Sequence, residues 1–332
     1  MKKIKLGMIG CGTHATNILY PSLAYLDTPI ERIAVCDLRE GLAKQIASQY
    51  GFKAAYKDYK EMLKKEELDG VIVVINAKTH PPVVIDCLEN DVDVLVEKPP
   101  AVTVDDAKRM LQTSQKTGKF VMIDHQKRYN AAYRKAMDIT KEKDFGEIAM
   151  IESKMHGRPY DTLFDCLMEW DIHNIDIVRA FGGEIKTIRA IHKAVTSERS
   201  AIAILLQFQT GAVGTLNWGT EGGFGRFCES LEVVGSNQCG VIVENARKLT
   251  YYRGNDASTW APDWQPIRVY QTIVLDGYVG VLTRFLDCIE KDETPIPSIS
   301  DGVKNLEAIY EIADQLRIQK QWTQVVGPFL EQ

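Results

Sequence analysis

Ile4-Lys5-Leu6-Gly7-Met8-Ile9-Gly10-Cys11-Gly12-Thr13-His14-Ala15 is the stretch whose reading decides the fold. Ile4, Leu6, Met8 and Ile9 read as a short buried strand, and the chain turns at G-x-G-x-x-A straight into a helical pattern. Gly10 permits a tight turn, Gly12 keeps a Cβ away from anything approaching the backbone, and Ala15 lets the helix lie close on the strand. A second apolar run, Arg32-Ile33-Ala34-Val35-Cys36, ends on Asp37.

Strand, glycine turn, helix, strand and acid follow one another at the spacing of a dinucleotide-binding unit. The first-turn N–H groups of the helix lack partners within it and suit a pyrophosphate. A carboxylate at the tip of the second strand suits ribose hydroxyls and repels a 2′-phosphate. Asp37 therefore favours NAD over NADP, while Arg39 two residues on works against that preference.

Working outward, the α/β alternation continues to about residue 124. Val71 to Ile75 is a continuous apolar run typical of a strand covered on both faces. Val92 to Val96 and Lys119 to Ile123 are two further strands, with helical patterns between them. Strands joined by single helices imply right-handed crossovers and a parallel sheet. Residues 1–124 are thus expected to form a doubly wound Rossmann-type domain.

Beyond it the pattern becomes β-rich. Ile148–Lys154, Ile185–Val195, Ala201–Phe208 and Val213–Trp218 read as strands, with hairpin turns at Gln209–Ala212 and Gly235–Gln238. A long helix is expected over Thr162–Phe181, and two more over Val279–Lys291 and Asp301–Arg317. Residues 125–332 read as an α+β domain with a large, mostly antiparallel open sheet, whose final helix packs back on the first domain. The uncovered sheet face is either a solvated polar face or covered by a second copy of the chain, and the expected assembly is a homo-oligomer, dimer or tetramer.

The 332 residues are 45% hydrophobic with a formal net charge of -5, and no basic block points to nucleic acid. No run approaches the ~20 apolar residues of a membrane span. The apolar stretch after Met1-Lys2-Lys3 is short and broken by Lys5, unlike a signal h-region. Seven scattered cysteines without C-x-x-C spacing fit reduced thiols, and the expected location is the cytoplasm.

Three groups of residues can carry chemistry. Glu97-Lys98-Pro99-Pro100 follows the strand Val92–Val96, on the side of the sheet where the glycine turn also lies. Glu169, His173 and Asp176 share one face of the long helix, where flanking carboxylates would orient the histidine and raise its pKa. A solvated face with a salt-linked histidine is the competing reading. Lys127-Arg128-Tyr129-Asn130 follows the last strand of the first domain and either lines the cleft or covers the domain junction. The histidines lack ligand spacing, and no metal is implied.

With these residues in view, the chain resembles the Gfo/Idh/MocA family of oxidoreductases, named for glucose–fructose oxidoreductase and inositol dehydrogenase. The resemblance joins the glycine turn and Asp37 to Glu97-Lys98-Pro99, to His173 followed by Asp176, and to Asp301-Gly302 opening the last helix. It implies hydride transfer between NAD(H) and a secondary hydroxyl or ketone of a sugar, inositol or related polyol. The catalytic residues it implies are Lys98, His173 and an assisting carboxylate, Glu169. Glu169 stands where the family usually has aspartate, and Asp171 where it usually has glycine.

The candidate cofactor residues are Gly10, Gly12, Thr13, His14, Ala15, Asp37, Arg39, Asn76, Glu97 and Lys98, and the substrate candidates are Arg128, Tyr129 and Asp176. The same fold admits NAD-assisted cleavage of a glycosidic bond, or a regulatory dinucleotide-binding module without turnover. An intact Lys98–His173 pair argues against the latter.

Overall fold

Six strands make the first sheet: β1 (Ile4–Ile9), β2 (Ile30–Cys36), β3 (Ala54–Tyr56), β4 (Gly70–Val73), β5 (Asp93–Glu97) and β6 (Val121–Asp124). In the computed structural model, which describes residues 3–157, 159–196, 198–220, 228–261 and 271–323, they run in the order β3-β2-β1-β4-β5-β6. Every pairing is parallel. The order reverses between β2 and β4 around β1, which places the crevice for a ligand at the carboxyl ends of the strands. All of β4 and β5 is buried, with the apolar runs Val71–Val73 and Val94–Val96 at their centres.

The helix after the glycine turn departs from a regular α-helix. Ala15–Leu19 forms a π-helical turn, followed by a short α segment, Tyr20–Ser22, and a 3₁₀ turn, Leu23–Tyr25. Pro21 lies within it and has no N–H for the i→i−4 ladder, which breaks the regular pattern. The chain also forms elements too short to show a period, among them β3 and the helix Tyr59–Lys65.

The second sheet holds eight strands: β7 (Ile148–His156), β8 (Ile185–Ala194), β9 (Ser200–Phe208), β10 (Val213–Gly219), β11 (Cys228–Gly235), β12 (Cys239–Glu244), β13 (Lys248–Arg253) and β14 (Asp256–Trp260). Their order is β14-β13-β12-β11-β7-β10-β9-β8. The β7–β10 pair is parallel and the remaining pairs are antiparallel. Along β9 buried and exposed residues alternate, so one face packs on helices and the other is open. Ile204, Leu206, Leu216 and Trp218 are buried.

The long helix expected over Thr162–Phe181 is interrupted. It runs as α from Leu163 to Cys166, as a π-helical turn from Leu167 to Asp171, and as α again from Ile172 to Gly182. Asn174 ties it to the sheet by donating to Ser153 Oγ at 2.6 Å and accepting from Trp218 Nε1 at 3.2 Å.

The last helices return to the first sheet. Tyr278–Lys291 lays Phe285 and Ile289 over Gly70, where a Cβ would sit 2.6 Å from Ile289 Cδ1. In Ile299–Gln315, Gly302 faces Pro100 and Ile123, and the Tyr310 hydroxyl donates to the Val102 carbonyl at 2.8 Å. Among the described residues, no helix is long and apolar enough to cross a membrane.

Candidate active site

The glycine turn is held from beneath. Gly10 has φ +108°, and a Cβ there would lie 2.0 Å from the Val74 carbonyl oxygen, so the position accepts only glycine. Around Gly12 nothing approaches within 4 Å of where a Cβ would be. That open space fits a pyrophosphate over the N–H groups of Thr13, His14 and Ala15. The Cys11 amide donates to Asp37 Oδ2 at 2.8 Å, which ties the turn to the tip of β2.

Asp37 is already surrounded by donors. Arg39 reaches it with Nε and Nη2 at 2.9 and 3.0 Å and with its main-chain amide at 2.9 Å. Burial opposes the charge, but Arg39 and the Cys11 amide outweigh it and hold the carboxyl below its ordinary pKa. Asn76 uses its side chain to accept from the Lys78 amide at 3.0 Å, shaping the loop after β4.

At the end of β5, Glu97 Oε1 lies 2.8 Å from His14 Nε2, so the glycine turn and the Glu97-Lys98-Pro99 segment meet. Lys98 Nζ crosses to the second domain, donating to Glu169 Oε2 at 2.6 Å and to the Glu169 carbonyl at 2.9 Å. Burial opposes the lysine's charge, but Glu169 and Glu97 outweigh it and raise its pKa above the ordinary value. His80, which carried no signal in the sequence, braces the loop with its ring nitrogens 3.0 Å from the carbonyls of Pro99 and Ile75.

His173 is buried beside this pair, and its Nδ1 has no hydrogen-bond partner among the described residues. Burial, then the charges of Lys98 and Lys127, push its pKa well below the ordinary value. This corrects the expectation of a carboxylate-raised histidine. The π-helical turn Leu167–Asp171 adds a residue to the ring of the helix. Glu169 lies within this turn and pairs with Lys98. Asp171 is itself buried, which pushes its carboxyl pKa well up; the Cys166 thiol lies 3.8 Å away.

Arg128 and Asp176 bind each other, and Tyr129 reaches a main-chain carbonyl. Arg128 Nε and Nη2 donate to the two oxygens of buried Asp176 at 2.7 and 2.8 Å. Asn305 Nδ2 adds a bond to Asp176 Oδ1 at 2.8 Å and lies 3.0 Å from His125 Nε2. The Tyr129 hydroxyl donates to the Ile296 carbonyl. These groups satisfy one another at the domain junction, because a buried carboxylate needs its charge matched locally.

Lys98, Glu169, His173, Glu97 and His14 are therefore brought together, with His125 added: its ring centroid is 6.0 Å from that of His173. Among the described residues, no group of three or more His, Cys, Asp or Glu side chains is arranged to hold a metal ion.

Residues 4–125 match the family model described as the Gfo/Idh/MocA oxidoreductase family, NAD-binding Rossmann fold. Over 317 residues the chain is 24% identical to the myo-inositol 2-dehydrogenase of Thermotoga maritima, covering 90% of this chain and 92% of that protein. It is also 24% identical over 292 residues to the scyllo-inositol 2-dehydrogenase (NAD(+)) of Bacillus subtilis, covering 83% of each. A dehydrogenase from Chromobacterium violaceum shares the fold with a TM-score of 0.87 at 20% identity, covering 96% of both chains. These likenesses support a Gfo/Idh/MocA oxidoreductase, whose NAD-binding Rossmann fold spans residues 4–125.

Proposed function

We propose that the chain is an NAD(H)-dependent dehydrogenase or reductase that interconverts a secondary hydroxyl and a ketone on a sugar, inositol or related polyol. The carrying observation is the Lys98–Glu169 pair, made across the two domains beside a buried, neutral His173. The inositol dehydrogenases among the relatives support the polyol class. When bound, NAD supplies the hydride acceptor. Lys98 hydrogen-bonds the reacting oxygen and stabilises negative charge developing there. His173, held unprotonated by its surroundings, takes the hydroxyl proton. Glu169 keeps Lys98 charged and aimed.

The test is incubation with NAD and a panel of polyols, including inositols, followed at the NADH absorbance band. Net NADH with one or more of them supports the reading, and sugar cleavage without net NADH contradicts it.

The open face of the second sheet carries Ile191 at 73%, Leu205 at 60% and Val213 at 50% exposure, and we assign it to contact with a second copy of the chain. Light scattering of Leu205→Arg tests this. A fall to monomer supports it, and an unchanged mass contradicts it. Seven free cysteines support a reducing, cytoplasmic location.

A further inference from the structure

Directly across the ends of β5 and β6, Glu97 and Asp124 are register partners, and both are buried. Neither oxygen of Asp124 meets a donor in hydrogen-bond geometry. As partners on adjacent parallel strands, the two side chains leave the sheet on the same face, side by side. Two carboxylates buried together cannot both ionise cheaply; one proton held between them removes the repulsion and supplies the missing donor.

The surroundings decide which one keeps the proton. Glu97 faces His14 from the glycine turn, the Lys98 charge and amide from its own strand end, and His80 from the helix His80–Glu89. Asp124 has Glu97 beside it and, in compensation, only the Lys98 charge and, outside hydrogen-bond geometry, the Gln126 amide. Tyr278, at the start of the helix Tyr278–Lys291, closes the cluster as a neutral phenol with Asp276 behind it. His125 follows Asp124 but turns Nε2 to Asn305. Glu97 is thus the anion and Asp124 the acid.

We propose that Glu97 and Asp124 form a proton-sharing acid pair that releases its proton when oxidised, but not reduced, cofactor binds. This rests on the reading that Lys98 marks the end of the crevice where the nicotinamide reacts. The oxidised ring carries one positive charge and the reduced ring none. A cation placed at the strand ends favours a second anion there, so the Asp124 O–H bond breaks and its proton passes to solvent. No electron transfer is involved. Asp124 is a positioning residue, acting through Glu97, and the pair makes affinity for NAD+ rise with pH while affinity for NADH stays flat. Where the pair is protonated, release of one proton changes NAD+ affinity by up to about tenfold per pH unit.

The experiment is calorimetric titration of the full chain with NAD+ and with NADH, in two buffers of different ionisation heat at the same pH. The expected result is a buffer-dependent heat, reporting proton release, for NAD+ alone. Asp124→Asn, which keeps a neutral donor beside Glu97 but cannot titrate, should abolish the difference and still bind NADH. If that variant does not fold, as judged by circular dichroism, Asp124→Leu replaces it with the same expectation. Buffer-independent NAD+ binding, equal release with NADH, or release that persists in the variant (from His14, for instance) overturns the proposal. Failure of the unmutated chain to bind either cofactor would instead strike at the dehydrogenase reading.

Discussion

Lys98 Nζ lies 2.6 Å from Glu169 Oε2, so a lysine of the cofactor domain is aimed by a carboxylate of the other. If Lys98 stabilises charge on the reacting oxygen, Lys98→Ala should lower kcat by roughly 10²–10³ while NADH binding persists. Glu169→Gln should lower the lysine's pKa and draw the alkaline limb of the pH–rate profile toward neutrality. A shift confined to the acid limb would show that Glu169 serves His173 instead. Steady-state profiles of both variants separate the two.

His173 is neutral because burial and nearby lysines depress its pKa. Activity in the oxidation direction should therefore be fully present at and above the ordinary histidine pKa of about 6.5 and decline only as pH falls well below it. His173→Ala should reduce the rate by roughly 10²–10⁴ and remove that acid limb. An acid limb centred above about 7 in the unmutated chain would contradict the depressed pKa.

Much of this was legible in the sequence, and the remainder was hidden for physical reasons. The glycine turn announces itself because only glycine satisfies φ +108° at Gly10, and Lys98 because its tripeptide ends an apolar strand. β3, three residues long, shows no period, and β14 is almost wholly exposed. The facing of Glu97 and Asp124 depends on strand register, which neither segment carries alone. Arg128 and Asp176, 48 positions apart, gave no sign of their pairing, because charged residues in a cleft and at a junction read alike. The π-helical turn that holds Glu169 gave no sign of itself in the helical pattern.

The Arg128–Asp176 pair makes a stability prediction. Burial opposes the Asp176 charge, but Arg128 and His125 outweigh it and bring the carboxyl down to about 2. Its contribution is present above the ordinary carboxylate pKa and is lost as pH falls through about 2. Arg128→Met leaves a buried charge unmatched and should cost about 3–5 kcal/mol in denaturant unfolding at neutral pH. A variant of unchanged stability with a raised KM would return Arg128 to the substrate.

Arg39 bears on cofactor choice, since its fork neutralises Asp37 and also suits a phosphate. Arg39→Ala should weaken NADPH binding more than NADH binding, by roughly tenfold in the ratio, as losing a charge-assisted bond implies. Fluorescence titration with both reduced cofactors checks this. An unchanged ratio would show that Arg39 has no part in the choice.

The central claim is net hydride transfer from a substrate carbinol, and isotope tracing reads it most directly. A polyol that yields NADH is prepared with deuterium on the reacting carbon and incubated with NAD, and both products are examined by mass spectrometry. The account predicts one deuterium on the nicotinamide ring of NADH and a ketone that has lost it, with Lys98→Ala slowing both together. Deuterium recovered in a cleaved sugar, with no labelled NADH, would contradict it.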